Sequence, residues 1–191
     1  MDLKLVAWGL RRRGPVPRLW LFTDTERLPN PLPAASRLPR GRAGVVFRHD
    51  EAPDRVALGR KLARVCRERR LLLVVAGDTG LAARLGAGVH LRGGRWPDSR
   101  RAMGFVTSSA HDTAELRRAF GAGAGLVFLS PAFRTASHPG APGLGPARWG
   151  LTVRRRPAGR LVAALGGVDG RNVRRLPPAC AAIGAIGALA P

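Results

Sequence analysis

Eight short apolar runs recur along the chain, and between most of them the spacing of apolar positions becomes helical. The runs are LWLFT at 19–23, RAGVVFRH at 42–49, LLLVVA at 71–76, AGVHL at 87–91, GFVTSS at 104–109, GLVFLS at 125–130, RLVAALGG at 160–167 and CAAIGAIG at 180–187. Most carry Val, Leu, Ile or Ala on successive positions, so both faces of each strand are apolar. Strands buried on both faces are parallel strands covered by helices. The intervening segments agree with this. Residues 54–70 place Val56, Leu58, Leu62, Val65 and Cys66 on one helical face. Segment 79–86 reads as a short helix, 111–122 as a helix with Asp112 or Thr113 at its N-cap, and 168–177 as another short helix. Repeated βα units with eight strands predict an α/β fold, a closed (β/α)8 TIM barrel. An open doubly wound sheet is the alternative. Its G-x-G-x-x-G turn is missing after the first strand, where Thr23, Asp24 and Thr25 stand.

The first and last helices read as trimmed. Residues 25–41 hold Pro29, Pro31, Pro33 and Pro39, which leaves room for a loop or a single turn. Only four residues follow the eighth run. Residues 1–18, with Gly14, Pro15 and Pro17, read as a basic N-terminal extension, and 19–191 as one barrel domain. Trimmed ends would expose apolar surface, so a homo-oligomer is an expectation.

Composition narrows the picture. The chain has 191 residues, enough for one domain with a core. No run approaches the ~18 apolar residues of a membrane span, and the start lacks the charge order of a secretory signal. A cytoplasmic protein without a membrane partner is expected. Cys66 and Cys180 have neither zinc-like nor C-x-x-C spacing and read as reduced thiols. Formal net charge is +21, and of 33 basic residues only Lys4 and Lys61 are lysine. Such a charge attracts polyanions, either RNA or phosphorylated metabolites. The arginines are scattered and the aromatics, at 5%, do not alternate with them. That pattern argues against a dedicated nucleic-acid partner.

The polar residues follow the strands. Asp24 follows the first, Arg48, His49 and Asp50 close the second, Asp78 follows the third, and His90 lies near the end of the fourth. Ser109 and His111 stand at the end of the fifth, Thr135, Ser137 and His138 follow the sixth, and Asp169 follows the seventh. All four histidines are thus expected on one rim, the carboxyl rim where barrels of this type carry out chemistry. Glycines concentrate after the last two strands, in LGGVDGRN at 165–172 and IGAIG at 183–187. Glycine lets backbone N–H groups approach an anion closely. Gly166, Gly167, Ile186 and Gly187 are therefore the expected binding residues for a phosphorylated small-molecule ligand.

Several blocks together resemble thiamine phosphate synthase and its TenI-like relatives: LWLFTD, VVFRHD, GAGVHLRG, SSAH, FLSPAFRTASHPG, ALGGV and AIGAIG, in that order over residues 19–188. The resemblance implies a (β/α)8 barrel of thiamine biosynthesis. Synthase members couple an aminopyrimidine pyrophosphate to a thiazole phosphate with magnesium, and TenI members are tautomerases of the thiazole phosphate. By resemblance, Thr135 and Ser137 line the thiazole phosphate with the glycine loops, Ser109 and His111 match the residues after the fifth strand, and Arg48 faces the pyrophosphate. The metal half departs from the pattern. Ala76-Gly77 stand where the family has Asn-Asp, leaving Asp78 as a metal candidate one place on. Arg95 stands at the second magnesium aspartate, Asp50 and His138 replace lysines, and Pro131 replaces the TenI acid/base histidine. The resemblance thus leads to a transferase with Arg48, Arg92 or Arg95 as counter-charge, His111 or His138 as proton carrier and His90 nearby. Mg2+ would lack its usual ligands. A phosphate-binding barrel without turnover is the second expectation, and an RNA-associated protein the third.

Overall fold

The computed structural model describes residues 1–11, 14–97, 104–135 and 142–190. Eight parallel strands close a barrel in chain order: β1 Leu19–Phe22, β2 Ala43–Phe47, β3 Leu72–Ala76, β4 Gly88–Leu91, β5 Val106–Ala110, β6 Leu126–Leu129, β7 Leu161–Leu165 and β8 Cys180–Ala185. Closure comes from β1 pairing with β8, with Trp20 opposite Gly184. The eight runs are these strands, because continuous Val/Leu/Ala sequence satisfies an interior on one side and a helix layer on the other.

The barrel interior is filled rather than hollow. Trp20, Phe22, Val46, Val74, Leu126 and Phe128 form one buried cluster. Trp20 meets the edge of Phe128 at 5.6 Å between ring centroids. Room for the indole comes from the neighbouring strand. Gly44 lies in register with Trp20, and a Cβ there would sit 2.4 Å from the ring. A second apolar cluster lies outside the strands, under the helices.

Those helices are α2 Leu32–Arg37, α3 Arg55–Glu68, α4 Thr79–Leu85, α5 Thr113–Gly121 and α6 Gly145–Arg154. The trimmed first helix is α2, six residues long, and after β8 there is only a 3₁₀ turn, Gly187–Leu189. Asp112 caps α5, accepting the Glu115 N–H at 2.8 Å. The segment at 168–177 holds one 3₁₀ turn, Val173–Arg175. Helix α6 was not expected from the glycine- and proline-rich run around it. Pro146 lies in its first turn, where proline is tolerated. Trp149 anchors the helix, fully buried, with its indole N–H donating to the Leu129 carbonyl at 3.3 Å.

The N-terminal extension is also more than a tail. It forms α1 Leu3–Leu10, capped by Asp2, with Leu5 fully buried. The upper end is tied to the carboxyl rim, where the Asp2 N–H donates to Ala188 at 2.8 Å. The lower end meets the start of the first two strands. Gly9 packs on Leu19, and Arg42 donates to the Leu10 carbonyl at 3.1 Å. Helix α1 also touches the Val173–Arg175 turn. It therefore runs antiparallel to the strands and covers the sector between β8 and β1. Burying a leucine there contributes about 1.5–3 kcal/mol. Leu3 and Leu10 of the same helix remain exposed.

Candidate functional site

One cavity of about 1260 Å³ opens at the carboxyl ends of the strands. Five arginines line it among the described residues: Arg27, Arg48, Arg92, Arg95 and Arg134. Of the residues expected from sequence, Arg48, His90, Arg95, Ser109, His111, Thr135, Gly166, Gly167, Ile186 and Gly187 all line this cavity. Ser137 and His138 lie outside the described residues. Arg27 and Arg134 were not singled out from sequence. Their only signal was position, three residues after Asp24 and one before Thr135, and scattered arginine elsewhere in the chain hides that signal.

Arg48 is held by a relay through buried groups. Its backbone N–H donates to Thr23 Oγ1 at 2.9 Å. Thr23 Oγ1 lies 2.9 Å from His49 Nδ1, and His49 Nε2 lies 3.2 Å from the Pro29 carbonyl. A carbonyl only accepts, so Nε2 carries the proton and Nδ1 accepts from the threonine hydroxyl. His49 thus sits at the carboxyl rim, yet it does not line the cavity. His49 is buried, stacked on Phe47 at 5.3 Å, and ties the proline-rich segment to the barrel wall. The guanidinium of Arg48 is half-buried. Burial pushes its pKa below the usual arginine value; Asp24 partly offsets this, while Arg92 adds repulsion. An anion arriving beside it relieves both costs.

The other histidines differ from each other. His90 is buried below the cavity, with Nδ1 2.8 Å from Thr107 Oγ1 and its ring edge-on to Phe22 at 5.5 Å. Burial pushes its pKa down to about 3, so the ring is neutral and forms floor. His111 Nδ1 lies 3.0 Å from the Ser130 carbonyl. That bond places the proton on Nδ1 and leaves Nε2 as the accepting nitrogen of the neutral ring. His111 lines the same cavity and, unlike His90, is exposed.

The glycine wall is shaped by close approach. Gly167 has φ +66, and a Cβ there would lie 2.2 Å from the Arg134 carbonyl oxygen. The loop after β6 is laced to it, with the Phe133 N–H donating to Gly166 at 3.0 Å. Asn172 Nδ2 donates to the Gly167 carbonyl at 2.7 Å. Gly187, by contrast, has open space beside it.

A magnesium site does not fit the described donors. Mg2+ takes an octahedral oxygen shell, usually one or two carboxylates completed by waters and substrate phosphates. Asp78 does not face the cavity. It caps α4, Oδ1 accepting the Leu81 N–H at 2.7 Å, while Oδ2 pairs with Arg55 at 3.3 Å. Asp50 lies between Arg55 and Arg92. Asp24 is held by Arg27 at 2.9 Å, which keeps its carboxyl at about 2. Among the described residues, no three His, Cys, Asp or Glu side chains are grouped to hold a cation.

A closed parallel barrel with a cavity of this size on its carboxyl rim defines the class: a small (β/α)8 barrel with its candidate site where that fold carries out chemistry. The thiamine monophosphate synthase family model, TMP-TENI, matches residues 23–188. The chain belongs to that family. It is 33% identical over 166 residues to the thiamine-phosphate synthase of Chromobacterium violaceum, covering 82% of this chain and 79% of that protein. The counterpart in Methylococcus capsulatus is 34% identical over 151 residues, covering 73% of this chain and 65% of its own length. In structure, thiamine phosphate pyrophosphorylase from Pyrococcus furiosus superposes with a TM-score of 0.72 at 21% identity, covering 97% of this chain and 88% of that one. The fold is thus shared. No helix among the described residues is long and apolar enough to cross a membrane.

Proposed function

We propose that this chain is a transferase of thiamine biosynthesis that couples a thiazole phosphate to an aminopyrimidine pyrophosphate. The thiazole phosphate lies against Gly166, Gly167, Ile186 and Gly187, with Thr135 and Ser137 as hydroxyl donors. The pyrophosphate faces Arg48, Arg92 and Arg95. The thiazole nitrogen attacks the methylene carbon of the pyrimidine, a C–N bond forms, and the C–O bond breaks with its electron pair leaving on pyrophosphate. Arginine counter-charge stabilises the leaving group as its charge develops. His111 carries protons at the rim.

The observation that supports this reading most is the shared cavity, with a glycine wall and an arginine sector facing one volume. Its size exceeds the ~300–1,000 Å³ usual for one drug-sized ligand and suits two small substrates. The engaged carboxylates favour direct arginine contact over a metal bridge. The test is product formation from both substrates, in Mg2+ and in EDTA, for the wild type and for Arg48→Ala. The expected result is thiamine phosphate formation in EDTA within a few-fold of that in Mg2+, lost in the variant. Turnover only with Mg2+ removes the arginine argument. Absence of product with saturable thiazole phosphate binding instead favours a ligand-binding barrel, the reading the missing metal donors also support.

A further inference from the structure

Asp2 does not line the cavity, yet it fastens both loops that form the cavity's glycine wall. Its backbone N–H donates to the Ala188 carbonyl at 2.8 Å, one residue beyond Gly187. Its Oδ2 accepts the Gly170 N–H at 2.7 Å, three residues beyond Gly167. Its Oδ1 accepts the Leu5 N–H at 3.1 Å, as the N-cap of α1. Capping a helix needs only one acceptor oxygen. The second oxygen is spent on the loop after β7.

From Gly170 a short relay leads back to the wall. Asp169 Oδ1 accepts from the Arg171 and Asn172 N–H groups at 2.8 and 3.1 Å. Asn172 in turn returns its side-chain amide to the Gly167 carbonyl. A shift of Gly170 therefore reaches Gly167 through one rigid turn. Contact with Asp2 also demands glycine at 170, because a Cβ there would lie 2.4 Å from Asp2 Oδ1 and 2.6 Å from the Lys4 Cβ. Contacts of Trp8 with Arg18, Gly9 with Leu19 and Leu10 with Arg42 hold α1 toward its opposite end.

We infer that Asp2 is a positioning residue for the phosphate wall, clamping the loops after β7 and β8 to each other through the first turn of α1. This rests on reading those loops as the thiazole-phosphate site. The clamp acts before any ligand arrives. It fixes the backbone N–H groups of two separate loops in one frame, so binding does not have to order them. Backbone donors aimed at an anion lose affinity steeply when misplaced, whereas the apolar ring contacts of a thiazole do not depend on them.

The full chain without an N-terminal tag tests this, as wild type, Asp2→Ser and Gly170→Ala. Calorimetry measures affinity for thiazole phosphate and for the same thiazole as its free alcohol. Asp2→Ser keeps a capping oxygen and leaves Gly170 unpaired; Gly170→Ala disturbs the same contact from the barrel side. Each single variant weakens thiazole phosphate by about tenfold, the scale of one hydrogen bond to a charged group. The free alcohol binds each variant as it binds wild type, and the double variant is no weaker than the weaker single. A parallel loss for both probes shows a merely structural role and overturns the clamp, as does unchanged phosphate affinity in both variants. A wild type that binds neither probe overturns the phosphate reading of the loops, and the clamp with it.

Discussion

Replacing Leu5 by alanine tests whether α1 is part of the barrel's cooperative fold. Leu5 is 0% exposed and belongs to the outer apolar cluster, while Leu3, two residues away, is 77% exposed. Among the residues of α1, only Leu5 and Gly9 are buried, with Val6 and Trp8 partly buried against the same cluster, so Leu5 is the helix's most deeply buried large side chain. Truncating a buried leucine costs about 3 kcal/mol, in transfer free energy plus the cavity left behind. With a urea m-value of about 2 kcal/mol/M for a chain of this size, the midpoint moves down by about 1.5 M. Leu3→Ala is the control and stays within about 0.5 kcal/mol of wild type. Urea denaturation followed by circular dichroism reads both. Should α1 detach on its own, the loss is capped at its docking free energy and the m-value falls as well. A Leu5→Ala midpoint within about 0.2 M of wild type refutes the docking of α1 as part of the cooperative fold.

Further outcomes follow from the same geometry. Gly167→Ala must carry a positive φ and a Cβ 2.2 Å from the Arg134 carbonyl, so the wall deforms and thiazole phosphate binding falls below detection by calorimetry; unchanged affinity removes the phosphate assignment. His90 is held at about 3 by burial while the unfolded chain protonates near the ordinary 6.5. A folded value below the unfolded one means stability is present above pH 6.5 and is lost as pH falls toward 3. Urea midpoints should therefore decline between pH 6.5 and 4.5 in wild type and much less in His90→Asn. Asp24, held at about 2, adds its loss only below that window.

Much of the architecture was legible because its causes are local or periodic. Continuous apolar runs of four to six residues, too short for helices and bounded by turn residues, fit strands buried on both faces, and eight of them in alternation with helical segments leave few closures. Rim residues followed from strand ends, which is why Arg48, His111 and the glycines fell in one cavity. Helix α6 was missed because its glycine and proline argue locally for a loop. Burial of Trp149 outweighs that propensity. His49 sits at the expected rim but outside the cavity, because a strand end shows which rim a side chain is near, not whether it faces the barrel axis or the outer layer. The Thr23–His49–Pro29 relay decides that, and it joins residues up to 26 apart in sequence.

The sequence by itself determined the strand count, the parallel order and the rim. Those are properties of neighbouring residues and of periodicity. Tertiary structure alone decided that the first helix packs over the seam between β8 and β1, and that Asp78 spends its carboxylate on α4 and Arg55. It also decided that Asp2 reaches Gly170 across 168 positions of chain. The reason is closure. When β1 pairs with β8, the two ends of the chain meet, and residues without any sequence relation share one rim.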